Sequence, residues 1–162
     1  WIMTHVLSED RDMINAYHKY LQDKETAHQE DVQTEERYGR FLKEYDVVKL
    51  YLYKDQSCKG HLVAIFKETA TELARLSTLE RNIFFADVAK AAKVLKKCYS
   101  PDAICYMDMG DMREAGDKLT YHIIPKYKED GNFGVQQVID YNAVYENPQR
   151  YEAIYDKLKD KF

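Results

Sequence analysis

Residues that interrupt regular structure are scarce, since the 162 residues include only three prolines and six glycines. This scarcity excludes a collagen-like chain and a Pro/Gly-rich linker, and it argues against a disordered chain. By contrast, 45% of the residues are hydrophobic and 14 are tyrosines, enough to fill a sizeable core. The length predicts one domain, with some chain left over for an extension.

Cysteine is scarce as well. Cys58, Cys98 and Cys105 form no Cys-x-x-Cys pair, and their number is odd. Reduced thiols in a cytoplasmic protein are therefore expected. Cysteine and histidine are not clustered at the spacing of zinc ligands, so we expect neither a metal site nor a cofactor.

The sequence also lacks a long hydrophobic run and an excess of basic charge. No apolar run approaches the roughly 20 residues that a membrane-spanning helix needs. The opening "WIMTHVLSEDRD" has too short an apolar stretch, followed by too much acid, for a signal peptide. With a net charge of −4 and a pI near 5.8, neither a nucleic acid nor a membrane is the expected partner.

The first part of the chain, residues 1–44, is predicted to be a polar helical extension. Apolar residues recur there at helical spacing from Met13 to Leu21. A second helix, entering the core, is predicted from the spacing of Tyr38, Phe41, Leu42 and Tyr45.

The period then changes to that of a sheet. "VVKLYLY" and "HLVAIF" are rich in β-branched and aromatic residues and predict an antiparallel hairpin across "KDQSCKG". "STLE" at 77–80 is a capping box, which predicts a helix of roughly five turns that ends before Pro101.

The last third alternates strands with turns and ends in a helix. "AICYMDM" and "KLTYHIIP" are predicted strands, and "VQQVIDY" is a possible short edge strand. Asn147 followed by Pro148 predicts the start of a C-terminal helix. The fold class is therefore α+β, with an antiparallel sheet and helices packed against it.

One strand carries a row of hydrogen-bond donors. Because strand side chains alternate, Lys118, Thr120 and His122 share a face, while the residues between them are apolar and face the core. An ammonium, a hydroxyl and an imidazole suit a phosphate ligand. On spacing alone, an ordinary half-solvated strand explains the same pattern and is the commoner case.

Several motifs together resemble the histidine-triad superfamily. "LTYHIIPKYKEDG" resembles the end of the family's His-x-His-x-His signature, "LYLYKDQSCKGHLVAIFKE" its first hairpin, and "SPDAICYMDMGD" the strand before the triad loop. The resemblance covers residues 46–133 in the family's order of elements. It implies a nucleotide hydrolase or transferase fold, with Asp55 near the nucleoside, Asp111 at the Gly-Asn/Asp position, and a two-fold dimer.

The departures from the family pattern affect the chemistry. By the resemblance, Lys118 and Thr120 stand at the first two triad positions and His122 at the third. The middle histidine is the family's nucleophile, so Thr120 replaces it. A hydroxyl needs an adjacent base to act as a nucleophile, and conventional catalysis is not expected.

Three functions follow from these observations. The first is a protein that binds a nucleotide or nucleoside phosphate with weak or absent hydrolase activity. The second is an active phosphohydrolase that works through His122 by another mechanism. The third is a non-catalytic protein-interaction module. The predicted organisation is a helical extension (1–44), a histidine-triad-like core (45–133) and a C-terminal arm that packs on the core or on a dimer partner (134–162).

Overall fold

The computed structural model describes residues 2–110, 118–131, 133–140 and 142–162. Its contacts divide the chain into two compact units, Trp1–Arg37 and Tyr38–Phe162. The first unit belongs to helix α1 (Ile2–Tyr38). Its described side chains are largely exposed, including the apolar Met13, Ile14 and Tyr17. None of the described helices combines the length and the hydrophobicity that crossing a membrane requires.

The second unit is built on a five-stranded antiparallel sheet. The strands are β1 (Phe41–Glu44), β2 (Val48–Leu52), β3 (Leu62–Phe66), β4 (Ala103–Asp108) and β5 (Thr120–Lys126), and their order is β1-β2-β3-β5-β4. Helix α2 (Thr78–Tyr99) and helix α3 (Pro148–Leu158) pack against the sheet. The α+β class predicted from the sequence is confirmed.

Local signals position α2. Ser77 accepts a hydrogen bond from the Glu80 amide while the Glu80 carboxylate accepts one from the Ser77 amide, which is the predicted capping box. Further along α2, the buried Asp87 carboxylate accepts a hydrogen bond from the Val47 amide at 3.0 Å. That bond joins the helix to the residue just before β2.

The C-terminal helix also follows its predicted start. Asn147 caps α3 by accepting a hydrogen bond from the Arg150 amide, and Pro148 occupies the first turn. Tyr151, Ile154 and Leu158 are buried in the main hydrophobic core, which lies between the sheet and the two helices.

Two sequence predictions are wrong. The second helix predicted around Tyr38–Tyr45 is instead the end of α1 followed by strand β1, so residues 41–44 belong to the sheet. Gly39 causes this change: its φ is +133°, and a Cβ there would lie 1.9 Å from the Leu52 carbonyl oxygen. The chain therefore leaves the helix at a position that only glycine tolerates and pairs with β2.

The edge strand predicted for "VQQVIDY" is also not formed, because residues 135–140 of that stretch make no strand in the structure. Residues 133–140, which we call the covering segment, run instead across the sheet face opposite α2. Ile139 from this segment is buried in a second hydrophobic cluster with Tyr51, Tyr53 and Val63.

Candidate functional site

The polar residues of β5 lie on the sheet face that the second cluster covers. Thr120, His122 and Lys126 alternate with Tyr121, Ile123 and Pro125, as the strand period requires. The row of donors in the sequence predicts a face that is accessible to a phosphate ligand. In the structure, however, Thr120, His122 and Lys126 are 2%, 0% and 6% exposed.

His122 forms a buried pair with His61. Its Nδ1 lies 2.9 Å from His61 Nε2, so one ring donates a hydrogen bond and the other accepts it. The Tyr53 ring packs on both imidazoles, with centroids 4.5 Å from His61 and 5.3 Å from His122. His61 was not among the residues predicted from the sequence for this site. The sequence feature that could have pointed to His61 is its position after Gly60, directly before β3.

The electrostatics of this buried face favour a neutral His61 ring. Burial lowers the pKa of His61 well below its ordinary value, and the nearby His122 and Lys126 lower it further. His61 is therefore uncharged at neutral pH. The hydrogen bond to the neutral His61 fixes the orientation of the His122 ring on this buried face.

Thr120, at the nucleophile position of the resemblance, has no activating base among the residues that the structure describes. Its hydroxyl lies 3.3 Å from the Lys118 carbonyl oxygen, to which it donates a weak hydrogen bond. A hydroxyl oriented toward a carbonyl is not activated for attack, because attack requires a base that accepts its proton.

Lys118 lies just before β5 and is half-buried. It forms an isolated parallel bridge with Ala70, and the next residue, Leu119, accepts a hydrogen bond from the Phe66 amide at 2.9 Å. The structure thus places the Lys118 backbone immediately before the strand that carries Thr120 and His122.

Of the two predicted acidic site residues, Asp55 is described, and it is not assembled with this strand. The Asp55 carboxylate accepts hydrogen bonds from the amide and the hydroxyl of Ser57, which is a local turn contact. Asp55 lines a separate cavity of about 200 Å³ with Asn147 and Arg150, and no residue of β5 lines that cavity. Asp111 lies outside the described residues.

Lys126 is a site residue that the sequence analysis missed. Its ammonium donates to the Val135 carbonyl at 3.3 Å and to Gln137 Oε1 at 3.2 Å, both in the covering segment. The available signal was the strand period itself, since Lys126 continues the alternation of Lys118, Thr120 and His122 by two further steps.

Further contacts hold the covering segment against this face. The Tyr53 hydroxyl donates to the Asp140 carbonyl at 3.0 Å, and the Cys58 thiol lies 3.3 Å from Gln137 Oε1. Among the described residues, no three metal-binding side chains come together. The polar side chains of β5 can donate hydrogen bonds to an anion if the covering segment is displaced.

The fold is shared with solved histidine-triad structures. A histidine triad protein from Sinorhizobium meliloti superposes with a TM-score of 0.64 at 15% identity, over 82% of this chain and 95% of that one. A Hit-like protein involved in cell-cycle regulation from Bartonella henselae gives 0.55 at 20%, over 75% and 85%. A hypothetical histidine triad nucleotide-binding protein from Sulfolobus tokodaii gives 0.56 at 16%, over 75% and 81%.

These superpositions confirm the histidine-triad fold that the sequence resemblance implies. At such low identities they concern the fold alone. No protein-family model and no curated protein matches the sequence. The chemistry of the site therefore has to be argued from the residues of this chain.

Proposed function

We propose that this protein binds a nucleotide or nucleoside phosphate at Thr120 and His122 of β5 and at Lys118 just before this strand, with weak or absent hydrolase activity. The observation that carries the proposal is the state of Thr120. It stands where the resemblance implies a nucleophile, is 2% exposed, and directs its hydroxyl to a backbone carbonyl. The Sulfolobus protein of the same fold is named a nucleotide-binding protein, which supports the ligand class.

The donors of the strand support binding. Lys118 offers a positive charge, Thr120 a hydroxyl and His122 an imidazole, and a phosphate accepts hydrogen bonds from all three. Each charge-assisted hydrogen bond contributes about 1.5–3 kcal/mol net. A few such bonds give a dissociation constant on the order of micromolar without any reaction.

Catalysis has less support. Loss of a single nucleophile in a covalent mechanism costs on the order of 10⁴–10⁶ in turnover. An alternative reaction, in which His122 directs a water molecule, requires that the ring take a proton from that water. One nitrogen of His122 is already engaged with His61, so this second candidate function is the weaker one.

Thermal unfolding tests the proposal directly. The intact protein is melted with and without millimolar AMP, GMP and adenosine phosphoramidate, beside Lys118→Ala and the control Lys93→Ala, which removes an exposed lysine from α2. A ligand at 100 times its dissociation constant stabilises the folded state by about 2.7 kcal/mol. We expect a higher midpoint that Lys118→Ala reduces and Lys93→Ala keeps.

Turnover of the phosphoramidate, followed by product release, completes the test. We expect a rate near the uncatalysed background. A substantial rate that His122→Ala abolishes would establish the second function instead. No midpoint shift with any ligand would contradict binding and favour the protein-interaction function, for which the exposed apolar residues of α1 are the candidate surface.

We further propose that the protein is a cytoplasmic homodimer. All three cysteines are free thiols, as a reducing compartment maintains them. Strand β4 is an edge of the sheet and presents the exposed ring of Tyr106, with the exposed Phe85 of α2 on the same side. An edge strand with apolar neighbours suits pairing with a second copy.

A further inference from the structure

Lys126 is a buried cation, and its hydrogen-bond acceptors among the described residues are neutral. Lys126 is 6% exposed, and none of the ion pairs among the described residues includes its ammonium. Its two contacts, to the Val135 carbonyl and to the Gln137 amide oxygen, are 3.3 and 3.2 Å long. Buried charges are ordinarily paired with an opposite charge or held by several good hydrogen bonds.

The two contacts are poor substitutes for an anion. Hydrogen bonds from an ammonium to an anionic oxygen are shorter, about 2.7–2.9 Å, and roughly twice as strong as bonds between neutral groups. Gln137 Oε1 is moreover shared, since the Cys58 thiol also lies 3.3 Å from it. A phosphate oxygen is therefore a better acceptor for Lys126 than the covering segment is.

The covering segment is held by few contacts. It forms no strand, and Val135 and Val138 are 59% and 79% exposed. Among the described residues, its anchors include the two Lys126 bonds, the Tyr53–Asp140 bond, the Cys58–Gln137 contact, the Lys128–Phe133 contact and the buried side chain of Ile139. Segments with few buried apolar contacts and no regular backbone pairing open at low free-energy cost.

From these observations we infer that the Lys126 ammonium is an anion-binding group of the triad face, and that the covering segment occupies it in the ligand-free protein. A phosphate monoester that reaches Lys126 displaces Val135 and Gln137 and uncovers the His61–His122 pair. This inference rests on the proposed function and deepens it, because it names a second cation, besides Lys118, that the phosphate contacts and the segment that must move.

The position of Lys126 supports a common site. Lys126 lies on the same face of β5 as Thr120 and His122, and its charge is felt by His61. Tyr53 connects the histidine pair to the covering segment. Its ring packs on both histidines, and its hydroxyl donates to the Asp140 carbonyl. Moving the segment therefore changes the surroundings of the histidine pair.

Two substitutions with opposite predicted signs test the inference. AMP and inorganic phosphate are titrated calorimetrically into the intact wild-type protein, Lys126→Gln, Gln137→Ala and the control Lys93→Gln. Lys126→Gln should weaken AMP binding at least tenfold, because the charge is lost. Gln137→Ala should tighten it several-fold, because it removes a competing acceptor while keeping the lysine. Lys93→Gln should change nothing.

Hydrogen exchange on the wild-type protein provides an independent readout. Amides in residues 133–140 should exchange faster with AMP bound, whereas those of β2 should not. A merely structural role for Lys126 would make both substitutions weaken binding through a less stable fold. If Lys126→Gln fails to fold, the sign of the Gln137→Ala effect and the hydrogen-exchange result still decide whether the covering segment competes with the anion.

The outcomes separate this inference from the function on which it rests. AMP binding that Lys126→Gln leaves intact, or that leaves the covering segment as protected as before, overturns the inference while the proposed binding stands. AMP binding that Gln137→Ala weakens also overturns it. Failure of AMP and phosphate to bind either the wild type or Gln137→Ala contradicts the inference and the proposed function together.

Discussion

At the scale of single residues, the neutral His61 predicts a pH dependence of stability. Its pKa is well below 6.5 in the folded state because the ring is buried beside His122 and Lys126, whereas the unfolded chain titrates near the ordinary value of about 6.5. Between these two values only the unfolded state takes up the proton. The free energy of unfolding therefore falls as the pH is lowered through that window, and above it His61 contributes nothing.

For one such group the loss amounts to about 1 kcal/mol between pH 6.5 and 5.5. Urea unfolding at several pH values, followed by circular dichroism, measures it. His61→Gln should flatten this dependence, whereas His28→Gln, at an exposed position of α1, should retain it. An equal slope in wild type and His61→Gln would show that other groups cause the effect.

Tyr151 is a second residue that should affect stability, through its hydroxyl oxygen. Its buried hydroxyl donates to the Leu52 carbonyl at 2.6 Å and accepts from the Arg40 amide at 2.8 Å. Tyr151→Phe keeps the ring but leaves both backbone groups without that partner. Since an unsatisfied buried group costs about 1–3 kcal/mol, we expect a loss of that order in the free energy of unfolding.

Tyr155→Phe is the matched control, because it removes the same atom from the same helix. The Tyr155 hydroxyl makes only a 3.4 Å contact with the Phe41 carbonyl at an exposed position. Its loss should cost less than about 0.5 kcal/mol. Equal effects of the two substitutions in urea unfolding would contradict the role assigned to Tyr151.

At the scale of elements, the cap of α2 should be measurable. Ser77→Ala removes the acceptor for the Glu80 amide and should lower the free energy of unfolding by about 0.5–2 kcal/mol. Asn82→Ala, at an exposed site in the same helix, should leave stability unchanged or raise it slightly, because alanine has the higher helix propensity. A neutral Ser77→Ala would show that packing alone determines where α2 begins.

The elements that the sequence predicted correctly are those with local causes. The box at Ser77 and Glu80 and the cap at Asn147 depend on residues three positions apart, so the sequence contains the whole signal. Strand β1 was mistaken for a helix because the decisive contact is non-local. Gly39 approaches Leu52, and nothing near Gly39 in the sequence reveals that approach.

The candidate site also divides into features with local causes, which the sequence predicts, and features with non-local causes, which it does not. Strand alternation correctly places Thr120 and His122 on one face, because the period of a strand is a local property. Their burial was not predictable in this way, since it depends on His61 from another strand and on the covering segment. Lys126 was overlooked because a lysine in a strand is ordinarily a solvated residue.

At the scale of the whole molecule, the two faces of the sheet differ in what covers them. One face carries α2 and α3 over a large core, whereas the other is covered by irregular chain over a smaller cluster that includes polar groups. Stability and the candidate site are thus assigned to opposite faces. A change on the site face, such as displacement of the covering segment, leaves the main core in place.

The edge of the sheet gives the last prediction, which concerns assembly. Tyr106 of β4 is 48% exposed, and Phe85 of α2, whose ring lies 5.6 Å from that of Tyr121, is 41% exposed. We expect the proposed dimer to bury these rings, because an apolar edge is otherwise left in water. Tyr106→Glu should therefore lower the mass measured by sedimentation from dimer to monomer at micromolar concentration.

Phe41→Glu is the control, since it places the same charge at the opposite edge of the sheet, on β1, where Phe41 is 38% exposed. It should leave the dimer intact, because a sheet that pairs through β4 keeps β1 away from the contact. Dissociation by Phe41→Glu and not by Tyr106→Glu would place the interface on β1. A wild-type mass equal to that of the monomer at all concentrations would contradict the dimer itself, and Tyr106 would then be an exposed ring that the isolated fold tolerates.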